Sequence, residues 1–406
     1  MSGLNERNVI AGKASRIILL ACLTSVGIGQ SFIFTSLPPI GREIGLSDVR
    51  ISSVITVGAI FFVLGAFLWG GIIARIGRMR SILIGMTSYV VTLGFTGFIL
   101  QQALSQHVSA EASYYILICL RVVFGLGISG IVPAIQTYLV LHGDPNKRSS
   151  TIASIGASFS IGMILGPALA SFASSISLTA PFYLIAVFAV LLFFLVFFIV
   201  KDTTHVKVMT KPKAINWFKH PALPFLMMST LVILGITGIQ QIMGFLLQDR
   251  FGWNAVETTT QLGYAMMVMS LMSILVQMVL VPRFELGPTR LIYLGVFFAL
   301  VTQICFITMP SYFGVVLAMG LFGICSGFLF PGVITAQTVL AKNEEQSRLA
   351  SVNASLQGLG GASGPILMAS LYQVNAVIPF VFLGVAYLIL FVAFLYFKVR
   401  IHHKAA

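Results

Sequence analysis

The sequence reads as an all-α integral membrane protein of twelve transmembrane helices in two six-helix pseudo-repeats. Twelve apolar stretches of about twenty residues or more run along it, each long enough as an α-helix to cross the ~30 Å hydrocarbon core. Basic residues gather in every second gap between them, and motifs of the first half recur in order in the second. Composition agrees: 58% of residues are hydrophobic and 9% charged, with a mean hydropathy of +1.00. A soluble domain carries about 25% charged residues.

Segment 1 (17–40) is longer than the 7–15-residue core of a cleavable signal peptide and is expected to stay as a spanning helix. Segments 2 (54–74) and 3 (81–104) flank Arg75, Arg78 and Arg80. Segment 4 (114–141) contains Arg121, the one charge at membrane depth. Segments 5 (151–176) and 6 (181–200) complete an N-terminal bundle over 1–200. Residues 201–222, KDTTHVKVMTKPKAINWFKHPA, hold five Lys, two Pro and no apolar run, which marks a cytoplasmic linker. Segments 7 (223–247), 8 (262–281), 9 (291–309), 10 (315–341), 11 (349–374) and 12 (380–399) form a C-terminal bundle over 223–406.

With the N-terminus placed inside, the cytoplasmic segments hold 20 of the 24 Lys and Arg, while the outer loops hold Arg42, Arg50 and Arg250. That excess fixes orientation by the positive-inside rule, with both termini cytoplasmic. The net charge of +13 is spread over seven short segments beside helix ends. It makes no basic, aromatic-interleaved face for nucleic acid and suits anionic lipid headgroups. Cys22, Cys119, Cys305 and Cys325 fall within apolar segments and read as small buried hydrophobes, neither disulfides nor metal ligands. No cofactor is implied.

The internal repeat shows in three places. Segment 5 reads Gly162-Met-Ile-Leu-Gly166-Pro167 and segment 11 reads Gly360-Gly-Ala-Ser-Gly364-Pro365. Gly77, Arg80 and Gly85 recur as Gly287, Arg290 and Gly295, and GIGQ at 27–30 resembles GIQQ at 238–241. The last pair puts Gln30 and Gln241 at matching places. Two parallel six-helix halves around a substrate path is a recurrent transporter design.

These residues resemble the major facilitator superfamily, in particular its drug:proton antiporter branch and tetracycline-efflux-like members. Gly70-Gly-Ile-Ile-Ala74-Arg75-Ile-Gly77-Arg78-Met-Arg80 is similar to that family's G-x-x-x-D-R-x-G-R-[RK]. Arg121-Val-Val-Phe124-Gly125-Leu-Gly127 is similar to R-x-x-Q-G-x-G, and Gly162-x-x-x-Gly166-Pro167 to the antiporter-associated G-x-x-x-G-P-x-x-G-G. Arg250-Phe-Gly-Trp253-Asn254 also looks like tetracycline-efflux proteins. The resemblance implies a bacterial inner-membrane transporter, working as a monomer on a small molecule. It makes Gly70, Arg75, Gly77, Arg78 and Arg80 a conformational latch. Gly125, Gly162, Gly166, Pro167, Gly364 and Pro365 become packing and bending points between moving helices, as small-xxx-small patterns and intrahelical prolines allow.

Three departures accompany the matches. Ala74 stands where the latch has Asp, and Phe124 where segment 4 has Gln. All eleven carboxylates lie in loops or at segment ends, Glu43 and Asp249 among them, and the six histidines lie outside the segments. A proton relay through a bilayer normally uses buried Asp, Glu or His. Arg121 is left either as a structural pin on backbone carbonyls or as a substrate contact. The amides Gln30, Gln136, Gln240, Gln241, Gln337, Asn353 and Gln357 are left as interhelical hydrogen-bonding groups or as cavity lining. The substrate-binding candidates are Gln30, Arg121, Gln136, Gln240, Gln241 and Gln357. An intramembrane enzyme would need a catalytic motif such as H-E-x-x-H or G-x-S-x-G, and none is present. A channel would need a carbonyl filter or a charged ring. The reading is a secondary transporter working by alternating access, exporting a drug or metabolite. The alternative is a facilitator, importer or exchanger of a small organic anion or neutral polar solute without proton coupling.

Overall fold

A computed structural model describes residues 2–142, 148–200, 220–340 and 345–405, and every element in it is helical. The chain divides into two compact units, Met1–Lys211 and Pro212–Ala406. Most of the 201–222 linker lies outside the described residues.

The first unit holds α1 (Ser2–Glu43), α2 (Asp48–Ile76), α3 (Arg78–Leu104), α4 (Ala110–Ile128), α5 (Ile131–His142), α6 (Arg148–Ser174) and α7 (Ala180–Ile199). Here α1 packs along α6, α2 along α4, and α3 against α4 and α7. The second unit holds α8 (Leu223–Phe251), α9 (Ala255–Leu275), a π-helical turn (Val276–Leu280), α10 (Val281–Arg283), α11 (Pro288–Thr308), α12 (Tyr312–Leu340), α13 (Gln346–Val374) and α14 (Ile378–Ala405). There α8 packs along α13, α9 along α12, and α11 against α12 and α14. The two packing schemes are the same, element for element, once α4–α5 and α9–α10 are each counted as one span.

Among the described residues, eleven spans are long and apolar enough to cross a membrane. The twelfth, α13, has the length at 29 residues but carries Ser, Asn, Gln and Gly through its first half, which lowers its apolarity. Helix starts are set locally. Ser47 and Ser109 cap α2 and α4 through their hydroxyls. Asn254 and Glu257 form a reciprocal capping box on α9, so Glu257 serves a helix end and span 8 starts seven residues before the apolar run. Helix α1 likewise begins at Ser2, ahead of the expected 17.

Span 4 is broken where one continuous helix was expected. The indole Nε1 of Trp69 donates to the Leu126 carbonyl at 2.6 Å, and Ser129 Oγ donates to the same oxygen at 3.0 Å. That carbonyl is the one an unbroken α-helix would offer to the Gly130 N–H. Gly130 turns instead to Gly127 O at 3.5 Å, with the Trp69 ring packed where a Cβ would stand. Of the four cysteines, Cys22 and Cys325 are buried, Cys305 is half-buried and Cys119 is exposed, and all are free thiols. Cys119 therefore departs from the buried reading, because it points off the outer face of α4.

Candidate functional site

The site is built on the seam between α2 and α4. Gly125 lies so close to α2 that a Cβ there would come within 2.5 Å of Gly58 O and 2.7 Å of Phe62 N. One turn back along α4, Arg121 passes its stem across Gly58, where an added Cβ would meet Arg121 Cδ at 3.1 Å. The α2 backbone thus closes one side of the arginine. Phe124 closes another: the guanidinium carbon stands 5.0 Å from its ring centre. The residue that departs from the expected Gln therefore supplies a π face to the cation, worth about 2 kcal/mol or more when desolvated. Phe124 in turn tilts against Tyr89 of α3 at 6.0 Å, and the Tyr89 hydroxyl donates to Ser25 O of α1 at 2.6 Å. One chain of contacts thereby links four helices.

Arg121 is 6% exposed, and neither its Nε nor its Nη2 has a hydrogen-bond partner among the described residues. It sits eleven residues beyond Ala110, so it lies about 16 Å along the span at 1.5 Å per residue. That is deeper than the ~10 Å implied by a segment starting at 114, because α4 begins earlier than its apolar run.

The amide candidates separate into different environments. Gln240 and Gln241 are buried in α8, Gln30 is half-buried in α1, and Gln136 is exposed on α5. Gln357 is half-buried in α13, with no partner for its Nε2 among the described residues. Gln337 and Asn353 belong to a closed cluster. Gln337 Nε2 donates to Phe225 O at 2.8 Å and to Asn353 Oδ1 at 3.1 Å, and Ser229 Oγ donates to Asn353 Oδ1 at 2.6 Å. These two amides tie α12 and α13 to the start of α8, which is interhelical hydrogen bonding and not cavity lining.

The glycine motifs form two matching seams. A Cβ on Gly162 would meet Thr24 O of α1, and one on Gly166 would meet Ile28 O and Phe32 N at 2.8 Å each. In the second unit Gly360 stands in the same way against Thr230 O, and Gly364 against Leu234 O and Gly238 N. The contacted residues run 24 to 230, 28 to 234 and 32 to 238, a constant shift of 206. This corrects the match of GIGQ with GIQQ: at that shift Gln241 corresponds to Thr35, and Gln30 to Ile236. The loop repeat keeps its expected register, since Gly85 faces Ile131 and Gly295 faces Leu329. Pro167 and Pro365 are buried inside α6 and α13.

Around the α2–α3 turn, Arg78 is completely buried, whereas Arg75 and Arg80 are exposed. Gly77 sits at φ +85° and ψ 164°, a region essentially reserved for glycine. Gly70 faces open space. At the opposite end, Arg42 grips Asp48 with Nε to Oδ1 at 2.7 Å and Nη2 to Oδ2 at 2.8 Å. Asp249 accepts from the Tyr372 hydroxyl at 2.8 Å, while Arg250 donates to Met309 O and Phe306 O at the end of α11. Every carboxylate whose side chain is described stands within a turn of a helix end or outside the helices. No cluster of His, Cys, Asp and Glu among the described residues could hold a metal ion.

Sequence reasoning passed over Tyr89, Gly58 and Gln303. Gln303 is 3% exposed in α11, with neither amide atom partnered among the described residues. A hydroxyl or amide inside an apolar run was the available signal for Tyr89 and Gln303.

Comparison with known proteins agrees with this fold. The chain matches the model of the Major Facilitator Superfamily over residues 19–321 and 285–406. It is 21% identical over 393 residues to Multidrug resistance protein 2 of Bacillus subtilis, covering 93% of this chain and 94% of that protein. It is 25% identical over 259 residues to the class B tetracycline resistance protein of Escherichia coli, covering 61% of this chain and 63% of that one. Among solved structures, it is similar to a bacterial homolog of the human lysosomal transporter Spinster, with a TM-score of 0.71 at 14% identity over 92% of this chain and 88% of that one. These matches and the twice-repeated helix packing lead to one conclusion: the chain belongs to the major facilitator superfamily, a family of multi-pass membrane transporters and not of enzymes, which move small molecules by alternating access.

Proposed function

We propose that this transporter exports a small organic molecule, a drug or a metabolite, from a bacterial cytoplasm. In this reading it works as a monomer in the inner membrane, with both termini and the linker on the cytoplasmic side. The observation that carries the reading is likeness along nearly the whole chain to a protein named for multidrug resistance. The seam of Gly162 and Gly166 against α1 supports it, because these residues are similar to the antiporter-associated motif and pack backbone to backbone. Small residues let helices pack this closely, and rigid halves that rock are a recurrent transporter design.

Expression in an efflux-deficient bacterium tests the reading directly. Expected is a raised inhibitory concentration for at least one compound of a chemically varied panel, with lower accumulation of that compound in cells. Increased accumulation on expression would favour the second reading, import or exchange. That second reading has one observation in its favour: the absence of a membrane-depth carboxylate or histidine among the side chains described.

A further inference from the structure

We propose that Arg121 is the recognition group for an anionic substrate, a carboxylate or another oxyanion presenting two oxygens, held on the Nε–Nη2 edge of its guanidinium. The proposal rests on the transporter reading above, because a solute must reach the depth of Arg121 within span 4.

The first support is the state of that edge. Arg121 is 94% buried, and its Nε and Nη2 are buried atoms without an acceptor among the described residues. A buried charged donor left unmatched is strongly disfavoured, so a partner is required in some state of the cycle. A structural pin would place carbonyl oxygens on this edge, and the described carbonyls do not reach it.

The second support is an internal example. Arg42 uses the same two nitrogens, Nε and Nη2, to hold both oxygens of Asp48 at 2.7 and 2.8 Å. This shows the chemistry the edge fits: a planar, two-oxygen acceptor met by two parallel donors. Among the described residues no acidic side chain does the same for Arg121, since their carboxylates stand at helix ends or outside the helices.

The third support is the frame. Phe124 covers a face of the guanidinium at 5.0 Å, and Gly58 presses on the stem from α2. With a face and the stem occupied, a ligand gains its hydrogen bonds in the plane of the fork. A neutral amide offers one oxygen and one N–H to two donors, so it satisfies half of the edge. A cation is repelled. Discrimination therefore follows from geometry as well as from charge.

The test uses the full-length protein in nanodiscs of zwitterionic lipid, with thermal stability as the readout. Matched probes are benzoate against benzamide, nicotinate against nicotinamide, and inorganic phosphate. At least one carboxylate should raise the melting temperature at a concentration roughly 10- to 100-fold lower than its amide needs, as loss of a hydrogen bond to a charged group implies. Equal effects of acid and amide in every pair would overturn the proposal, and so would no effect of any anion. Arg121→Lys should weaken the carboxylate effect, because a point charge does not replace a fork. An unchanged carboxylate effect in folded Arg121→Gln would also overturn it. Should these variants not fold, the acid–amide comparison on unmodified protein still decides. Loss of the benzoate effect in phosphatidylglycerol nanodiscs would assign the edge to an anionic lipid headgroup and overturn the substrate role. Counterflow of labelled benzoate in liposomes separates the two readings. Selective anion binding without movement would sink the transporter reading, whereas movement of neutral or cationic solutes without anion discrimination would sink this proposal alone.

Discussion

Gly162 of α6 sits directly against Gly27 of α1: a Cβ added to Gly162 would come within 2.9 Å of the Gly27 Cα. Both glycines lack the side chain that would hold the helices apart, and the other unit has a glycine-to-glycine contact one turn further along, between Gly364 and Gly238, where the first unit has Gly166 against Phe32. Replacing Gly162 or Gly364 by Val should lower the melting temperature sharply, because the obstacle is backbone and overpacking costs about 1–3 kcal/mol or more. Gly70→Ala makes the contrast. Nothing lies within 4 Å of a Cβ there, so helix propensity alone should stabilise α2 by up to about 1 kcal/mol. A destabilised Gly70→Ala protein would contradict the packing described.

Phe124 is expected to hold the arginine through its ring face. Phe124→Leu should cost about 2 kcal/mol through the lost cation–π contact, and Phe124→Tyr much less. Melting curves of the two variants in one detergent check this. Equal losses would mean that shape alone matters at this position.

The break between α4 and α5 depends on Trp69. Trp69→Phe keeps the ring beside Gly130 but removes the donor to Leu126 O, for an expected loss of about 1 kcal/mol, since Ser129 still serves that oxygen. Gly130→Leu should be worse, because the Trp69 ring fills the position of its Cβ. A Gly130→Leu protein as stable as the parent would show that the break is not held by this contact.

The cluster of Gln337, Asn353 and Ser229 is expected to act on stability and not on substrate choice. Gln337→Leu leaves Phe225 O and Asn353 Oδ1 short of a donor, at a cost of about 1–3 kcal/mol. Melting temperature should fall while the ranking of transported compounds stays fixed. A changed ranking would place this cluster on the substrate path.

Much of the architecture was legible because apolar length and cation asymmetry are direct consequences of the bilayer. The repeat was legible at Gly162, Gly166, Gly360 and Gly364, where backbone contact leaves room for no other residue. It misled at Gln30 and Gln241, because a tetrapeptide of common residues fixes no register, whereas backbone contacts at three successive turns do. The break at Gly130 was hidden because its cause, Trp69, is distant in sequence. At the candidate site, Arg121 stood out through its charge. Its ring partner registered only as a departure from a motif, since a phenylalanine in a membrane helix carries no sign of what it faces. Gln337 and Asn353 looked like any buried amide until their partners on α8 were visible.

The central proposal is that this transporter works without a proton carrier at membrane depth, where the described side chains offer no carboxylate or histidine. The direct measurement is substrate movement in liposomes holding the purified protein, with membrane potential and pH gradient imposed separately. The rate should follow the substrate gradient and the potential and change little with the pH gradient, since arginine stays protonated and glutamine does not titrate. The contradicting result is obligatory proton exchange, abolished by neutralising Glu43 at the end of α1 or Asp249 beside Tyr372.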